Sequence, residues 1–85
     1  MKEFKYVITD SEGIHARPAG ALVKKANEFA AKITIQRGGK SADVKRIFAV
    51  MGLGVKQQEE ITVTVEGDDE AEAAEAMEQF LKENL

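Results

Sequence analysis

The sequence predicts an α+β fold in which three helices cover one face of a mostly antiparallel, four-stranded sheet, in the order β-α-β-β-α-β-α. Short runs with period-two apolar alternation supply the strands, and apolar residues spaced three and four apart supply the helices. Gly38-Gly39 offers a tight hairpin, while the other connections run through helices, which leaves the opposite face of the sheet to water.

Phe4, Tyr6 and Ile8 alternate with polar or smaller residues and predict a first strand ending near Thr9, with Ser11-Glu12-Gly13 as the turn after it. From Ala16 onward, Ala19, Leu22, Val23, Ala26, Phe29 and Ala30 fall on one face of a helix. Ile33 and Ile35 flank Thr34 in a second strand. Gly38-Gly39 supplies positive φ angles for the hairpin, and Lys40 to Val44 return as a third strand. Ile47, Phe48, Val50 and Met51 predict a short helix that Gly54 terminates. Ile61, Val63 and Val65 alternate with Thr62 and Thr64 in the clearest strand of the chain, which Gly67 closes. Asp69 is placed to cap a last helix with Glu72 reaching back, and Ala73, Met77, Phe80 and Leu81 form its apolar face.

At 85 residues, with 44% hydrophobic, the chain accommodates one domain, residues 1–85, with a small core. It has no cysteine and only one histidine, so neither a disulfide framework nor a zinc site of Cys and His ligands can be assembled, and a reducing compartment is expected. No apolar stretch is long enough to span a membrane, and the first residues do not read as a secretory signal, so a cytoplasmic location is expected. A net charge of −3 argues against bulk capture of nucleic acid or anionic membrane.

One segment departs from this plain pattern. Gly13-Ile14-His15-Ala16-Arg17-Pro18 places the only histidine at the start of the first helix, because proline is tolerated in a first turn whose N–H groups have no intrahelical acceptor. His15 then occupies the cap. The N–H groups of Ala16 and Arg17, the positive helix end and the Arg17 guanidinium are expected to converge near the imidazole, forming an anion site around a nucleophile that is held neutral and reactive. On spacing alone, a histidine that merely caps a helix fits equally well.

Ile14-His15-Ala16-Arg17-Pro18-Ala19, followed by Lys40-Ser41, Lys45 and Val50-Met51-Gly52-Leu53-Gly54-Val55, resembles the HPr phosphocarrier family of the phosphoenolpyruvate-dependent sugar phosphotransferase system. The similarity runs from about Phe4 to Leu85 and includes Glu66-Gly67-Asp68-Asp69-Glu70-Ala71-Glu72. The resemblance implies an open-faced β-sandwich. It also implies a histidine that accepts a phosphoryl group from enzyme I on Nδ1 and passes it to a sugar-specific enzyme IIA. Those roles fall on His15 and, for contact with the phosphoryl group, on Arg17 and Ala16. The implied partner surface falls on Gly20, Lys24, Ile47, Phe48, Met51 and Leu53, although apolar residues on a short helix are more often core, and about two of these last four are expected there. Many relatives of the Gram-positive type carry a kinase-regulated serine just before the Ile-Phe pair; this chain has Arg46.

Gly52-Leu53-Gly54 is too short for a nucleotide fingerprint, and Gly39-Lys40-Ser41 lacks the leading glycine of a P-loop. The acids from Glu66 to Glu72 complement a helix dipole without a metal. No cofactor and no metal are expected, nor is independent catalysis, since no residue is placed for a hydrolytic triad with His15. A monomeric phosphoryl carrier is the expected function. The alternative is a non-catalytic, HPr-like regulatory binding module, which has no need of the intact Gly-Ile-His-Ala-Arg-Pro stretch.

Overall fold

The computed structural model describes residues 1–85, in the order β1 (Lys2–Val7), α1 (Ala16–Ala26), β2 (Lys32–Arg37), β3 (Lys40–Asp43), α2 (Ile47–Gly52), β4 (Glu60–Glu66) and α3 (Glu70–Asn84). Side-chain alternation sets the sheet. In β4, Ile61, Val63 and Val65 are buried while Thr62 and Thr64 are half-buried on the other face. Each fully buried aliphatic side chain contributes about 1.5–3 kcal/mol, against about 1 kcal/mol for a net backbone hydrogen bond, so the apolar face dictates the register. Ile61 lies opposite Tyr6, Val63 opposite Phe4 and Ile35, and Val65 opposite Ile33. The strands order as β1-β4-β2-β3 and every pairing is antiparallel.

The helices pack on one face over a core that includes Ile8, Leu22, Ile33, Ile35, Ile61, Met77 and Leu81. α1 turns Ala19, Leu22 and Ala26 inward, and α3 turns Ala73, Met77 and Leu81 inward, with Phe80 half-buried beside them. The far face of the sheet carries Glu3, Lys5 and Gln36 in water. No helix is long and apolar enough to cross a membrane.

Several boundaries differ from the sequence expectation. β1 ends at Val7, although Ile8 continues inward as a fully buried residue. α1 stops at Ala26, so Phe29 and Ala30 lie beyond it, Phe29 half-buried and Ala30 exposed. The cause is distant in sequence: the Asp69 carboxylate accepts hydrogen bonds from the N–H groups of Ala30 and Ala31, both at 2.9 Å, and holds them out of the helix. Asp69 consequently does not cap α3 with its side chain, and Glu72 does not reach back to it. Glu70 instead pairs with the terminal ammonium group of Met1 and accepts the Gly67 N–H, which in that order hold its carboxyl below the usual range. In the hairpin only Gly38 takes a positive φ, 58°, and β3 ends at Asp43, with Val44 buried just past it.

Candidate functional site

The β1–α1 loop is fixed from three sides. The N–H groups of Thr9 and Asp10 and the Thr9 hydroxyl all donate to the Leu85 carbonyl, at 2.6, 2.9 and 2.8 Å. The Asp10 side chain accepts the Glu12 N–H at 2.8 Å, and its carbonyl accepts the Gly13 N–H at 3.0 Å. Ile14 then donates to the Val55 carbonyl at 3.1 Å and buries its side chain. Gly13 is required between these anchors: its φ is 69°, and a Cβ there would lie 2.2 Å from the Val55 oxygen.

Val55 is itself held, because it belongs to the α2–β4 loop that Arg37 clamps. The Arg37 guanidinium donates to Glu59 Oε2 at 2.9 and 2.7 Å and to the Leu53 carbonyl at 2.9 Å, while Glu59 Oε1 accepts the Lys56 N–H. The hydrogen bond from Arg37, and secondly that from Lys56, lower the Glu59 pKa below its ordinary value.

This framework delivers His15 to the N-cap of α1 with extended backbone, φ −96° and ψ −175°. Its carbonyl accepts the first helical hydrogen bond, from Ala19 at 2.9 Å. Ala16 and Arg17 open the helix and carry N–H groups with no carbonyl ahead of them; Pro18, the third helical residue, is buried and sacrifices no bond. The His15 side chain is 35% exposed and caps no N–H group. Its Nε2 lies 3.3 Å from Glu12 Oε2 and 3.8 Å from Asp10 Oδ1, whereas Nδ1 has no partner. The surroundings expected from the sequence were cationic. Carboxylates in fact face the ring, and Arg17 is exposed with no ion pair or hydrogen bond.

Neither Asp10 nor Glu12 was singled out from the sequence, where Glu12 read only as part of the turn Ser11-Glu12-Gly13 and Asp10 was not remarked. The loop tie from Asp10 to the Glu12 N–H is what turns both toward the histidine. Their oxygens and the His15 nitrogen lie within 4.8 Å of one another, a spacing that can accept a cation. Of the acids from Glu66 to Glu72, considered from sequence for that role, Asp69 and Glu70 are occupied by backbone and terminal N–H groups.

The expected partner surface divides. Gly20 lies one turn into α1, where a Cβ would sit 3.7 Å from Ile47 Cδ1, so α2 rests against this helix. Ile47 is half-buried on the core, Phe48 is 85% exposed and Met51 is 39% exposed. Leu53, at 3% exposure, belongs to the core with Val50 and is one of the residues of this set expected there, so it does not itself present a docking surface. Lys24 is exposed, as is Arg46 at the N-cap of α2, while Lys45 donates to the Phe29 carbonyl.

Residues 2–83 match the family profile described as the PTS HPr component phosphorylation site. The phosphocarrier protein HPr of Lysinibacillus sphaericus is 46% identical over 83 residues, covering 98% of this chain and 94% of that protein. Among solved structures, a mycoplasma histidine-containing phosphocarrier protein superposes with a TM-score of 0.94 at 38% identity, covering 96% of this chain and 93% of the other. Crh, the catabolite repression protein of Bacillus subtilis, crystallised as a swapped dimer, superposes with a TM-score of 0.79 at 32% identity, covering 100% and 98%.

Proposed function

The chain belongs to the HPr family of phosphocarrier proteins of the phosphotransferase system, and on that premise we propose that it accepts a phosphoryl group from enzyme I on His15 Nδ1 and passes it to a sugar-specific enzyme IIA. The observation that carries this reading is the partly exposed imidazole at the N-cap of α1, whose Nδ1 has no partner and whose residue is followed at once by the free N–H groups of the first turn. A nitrogen lone pair is a competent nucleophile toward phosphorus, and a helix N-terminus stabilises the phosphoryl oxygens that arrive with it. Ala16 and Arg17 supply backbone N–H groups, and the unpaired Arg17 guanidinium is free to swing onto the bound group.

Partner docking falls to the exposed pair Phe48 and Met51, extended by Ile47, Gly20 and Lys24. An apolar patch of this size suits brief recognition by more than one protein, and a flexible methionine adapts to each. The chain works as one domain, monomeric and cytoplasmic, and relays phosphate without turning over a substrate alone. A purely regulatory contact module, of the kind suggested by the likeness to Crh, has no use for a free nucleophile held at a helix start.

Incubation with phosphoenolpyruvate and a cognate enzyme I should add one acid-labile phosphoryl group, seen by intact-mass measurement. His15→Ala should gain none, and Arg17→Ala should fold normally but accept phosphate more slowly. Phosphorylation of His15→Ala at the wild-type rate sinks the proposal.

A further inference from the structure

The two nitrogens of His15 stand in unlike surroundings, and only one of them has company. Nε2 faces the carboxylates of Glu12 and Asp10 at 3.3 and 3.8 Å, and Nδ1 faces no protein acceptor or donor. In a neutral imidazole one nitrogen carries the proton and the other the lone pair, and the hydrogen-bonding partner of the first decides which is which. From this asymmetry we infer that Glu12, with Asp10 behind it, is a positioning residue for phosphoryl transfer: the carboxylates keep the proton on Nε2 and so leave the lone pair on Nδ1. This inference rests on the carrier reading above and adds the groups that choose the reacting nitrogen.

The division of labour between the two acids follows from their exposure and bonding. Asp10 Oδ1 is already committed to the Glu12 N–H, and its backbone is pinned to Leu85, so it serves as a fixed post. Glu12 is 70% exposed, and only its contact with Nε2 occupies its side chain. During transfer the Nδ1 lone pair forms the new P–N bond while the donor's bond to phosphorus breaks and its electron pair returns to the donor. The Nε2 proton stays on the ring, which becomes more cationic as the bond forms, and the carboxylates oppose that charge across the ring from the phosphoryl oxygens. The helix start faces the incoming anion and the acids face the developing imidazolium, so the two fields do not compete for one place.

The test compares wild type with Glu12→Ala and with the double variant Asp10→Asn, Glu12→Ala. The ¹⁵N chemical shifts of His15 at neutral pH report the ratio of Nε2–H to Nδ1–H tautomers. Measured strengths of solvent-exposed ion pairs imply that this ratio falls about two- to fivefold in the double variant and less in the single one. Phosphorylation by enzyme I should lose kcat in the same order while KM is little changed, because docking residues are untouched. Unchanged amide spectra elsewhere certify the fold. A tautomer ratio that stays at the wild-type value, or one that falls while kcat holds, overturns the inference. The tautomer measurement needs no enzyme, so failure of wild type to take phosphate defeats the carrier reading separately, and the ratio still decides whether these acids select the nitrogen.

Discussion

Replacing Gly13 with alanine places a methyl carbon 2.2 Å from the Val55 carbonyl oxygen and 2.7 Å from the Lys56 Cα. Both obstacles are backbone, so no side-chain rotation relieves the clash and the β1–α1 loop must lift from the α2–β4 loop. Three contributions set the magnitude. Holding a non-glycine residue at φ 69° costs about 1–2 kcal/mol, and losing the hydrogen bond from Ile14 to Val55 costs about 0.5–1.5 kcal/mol. Restricting the unfolded chain returns about 0.4–1 kcal/mol. These three leave a loss of about 0.5–3 kcal/mol, and relief of the clash adds to it, so Gly13→Ala should be destabilised by about 2 kcal/mol, read as a lower urea midpoint at constant slope. The same shift displaces His15, and a misplacement of about 1 Å can slow a transfer up to about a hundredfold. The phosphorylation rate should therefore fall even for the folded fraction. A midpoint within about 0.5 kcal/mol of wild type refutes the reasoning.

Other outcomes follow from the same geometry. Phe48→Ala should leave the urea midpoint almost unchanged, because the ring is 85% exposed, yet weaken binding to an enzyme IIA about tenfold or more by calorimetry; a large stability loss with unchanged affinity would assign the ring to the core. The Glu59 carboxyl has a lowered pKa in the folded protein, so its contribution is fully present above about 4.5 and is lost as pH falls through the folded value; Glu59→Gln should flatten acid denaturation in that window, and identical acid curves would remove the Arg37 clamp from the account. With Arg46 at the α2 N-cap, HPr kinase and ATP should phosphorylate nothing; mass mapping of stoichiometric phosphate on Ser41, exposed in β3, would overturn this.

The elements were legible where one local pattern decided them. Ile61, Val63 and Val65 announce β4, and Pro18 fixes the start of α1 to within a residue of His15. What lay hidden depended on partners far along the chain. Asp69 reads as a helix cap, but its carboxylate finds Ala30 and Ala31, 39 and 38 positions away, and this also moves the end of α1. In α2, Ile47, Phe48, Ala49, Val50 and Met51 are all apolar, so composition cannot say which side faces the core; packing against Gly20 turns Phe48 and Met51 outward, and Leu53 goes inward. Asp10 and Glu12 look like ordinary turn residues until Leu85 and Val55 fix the loop around them.

The tie between Thr9 and the Leu85 carbonyl, 76 positions apart, bears on how the protein matures. His15 precedes the partners that anchor its loop: β1 has no neighbour until residues 60–66 appear, and the loop behind the histidine has no anchor before Val55 and lacks its second tie until Leu85 appears. Long-range closure of this kind is slow compared with helix formation, because the entropy of a long intervening loop must be overcome before any contact rewards it. A nascent chain thus displays its histidine well before the surrounding framework exists. The arrangement around His15 depends on contacts from residues 55, 60–66 and 85, so chains that lack these residues should be poor acceptors.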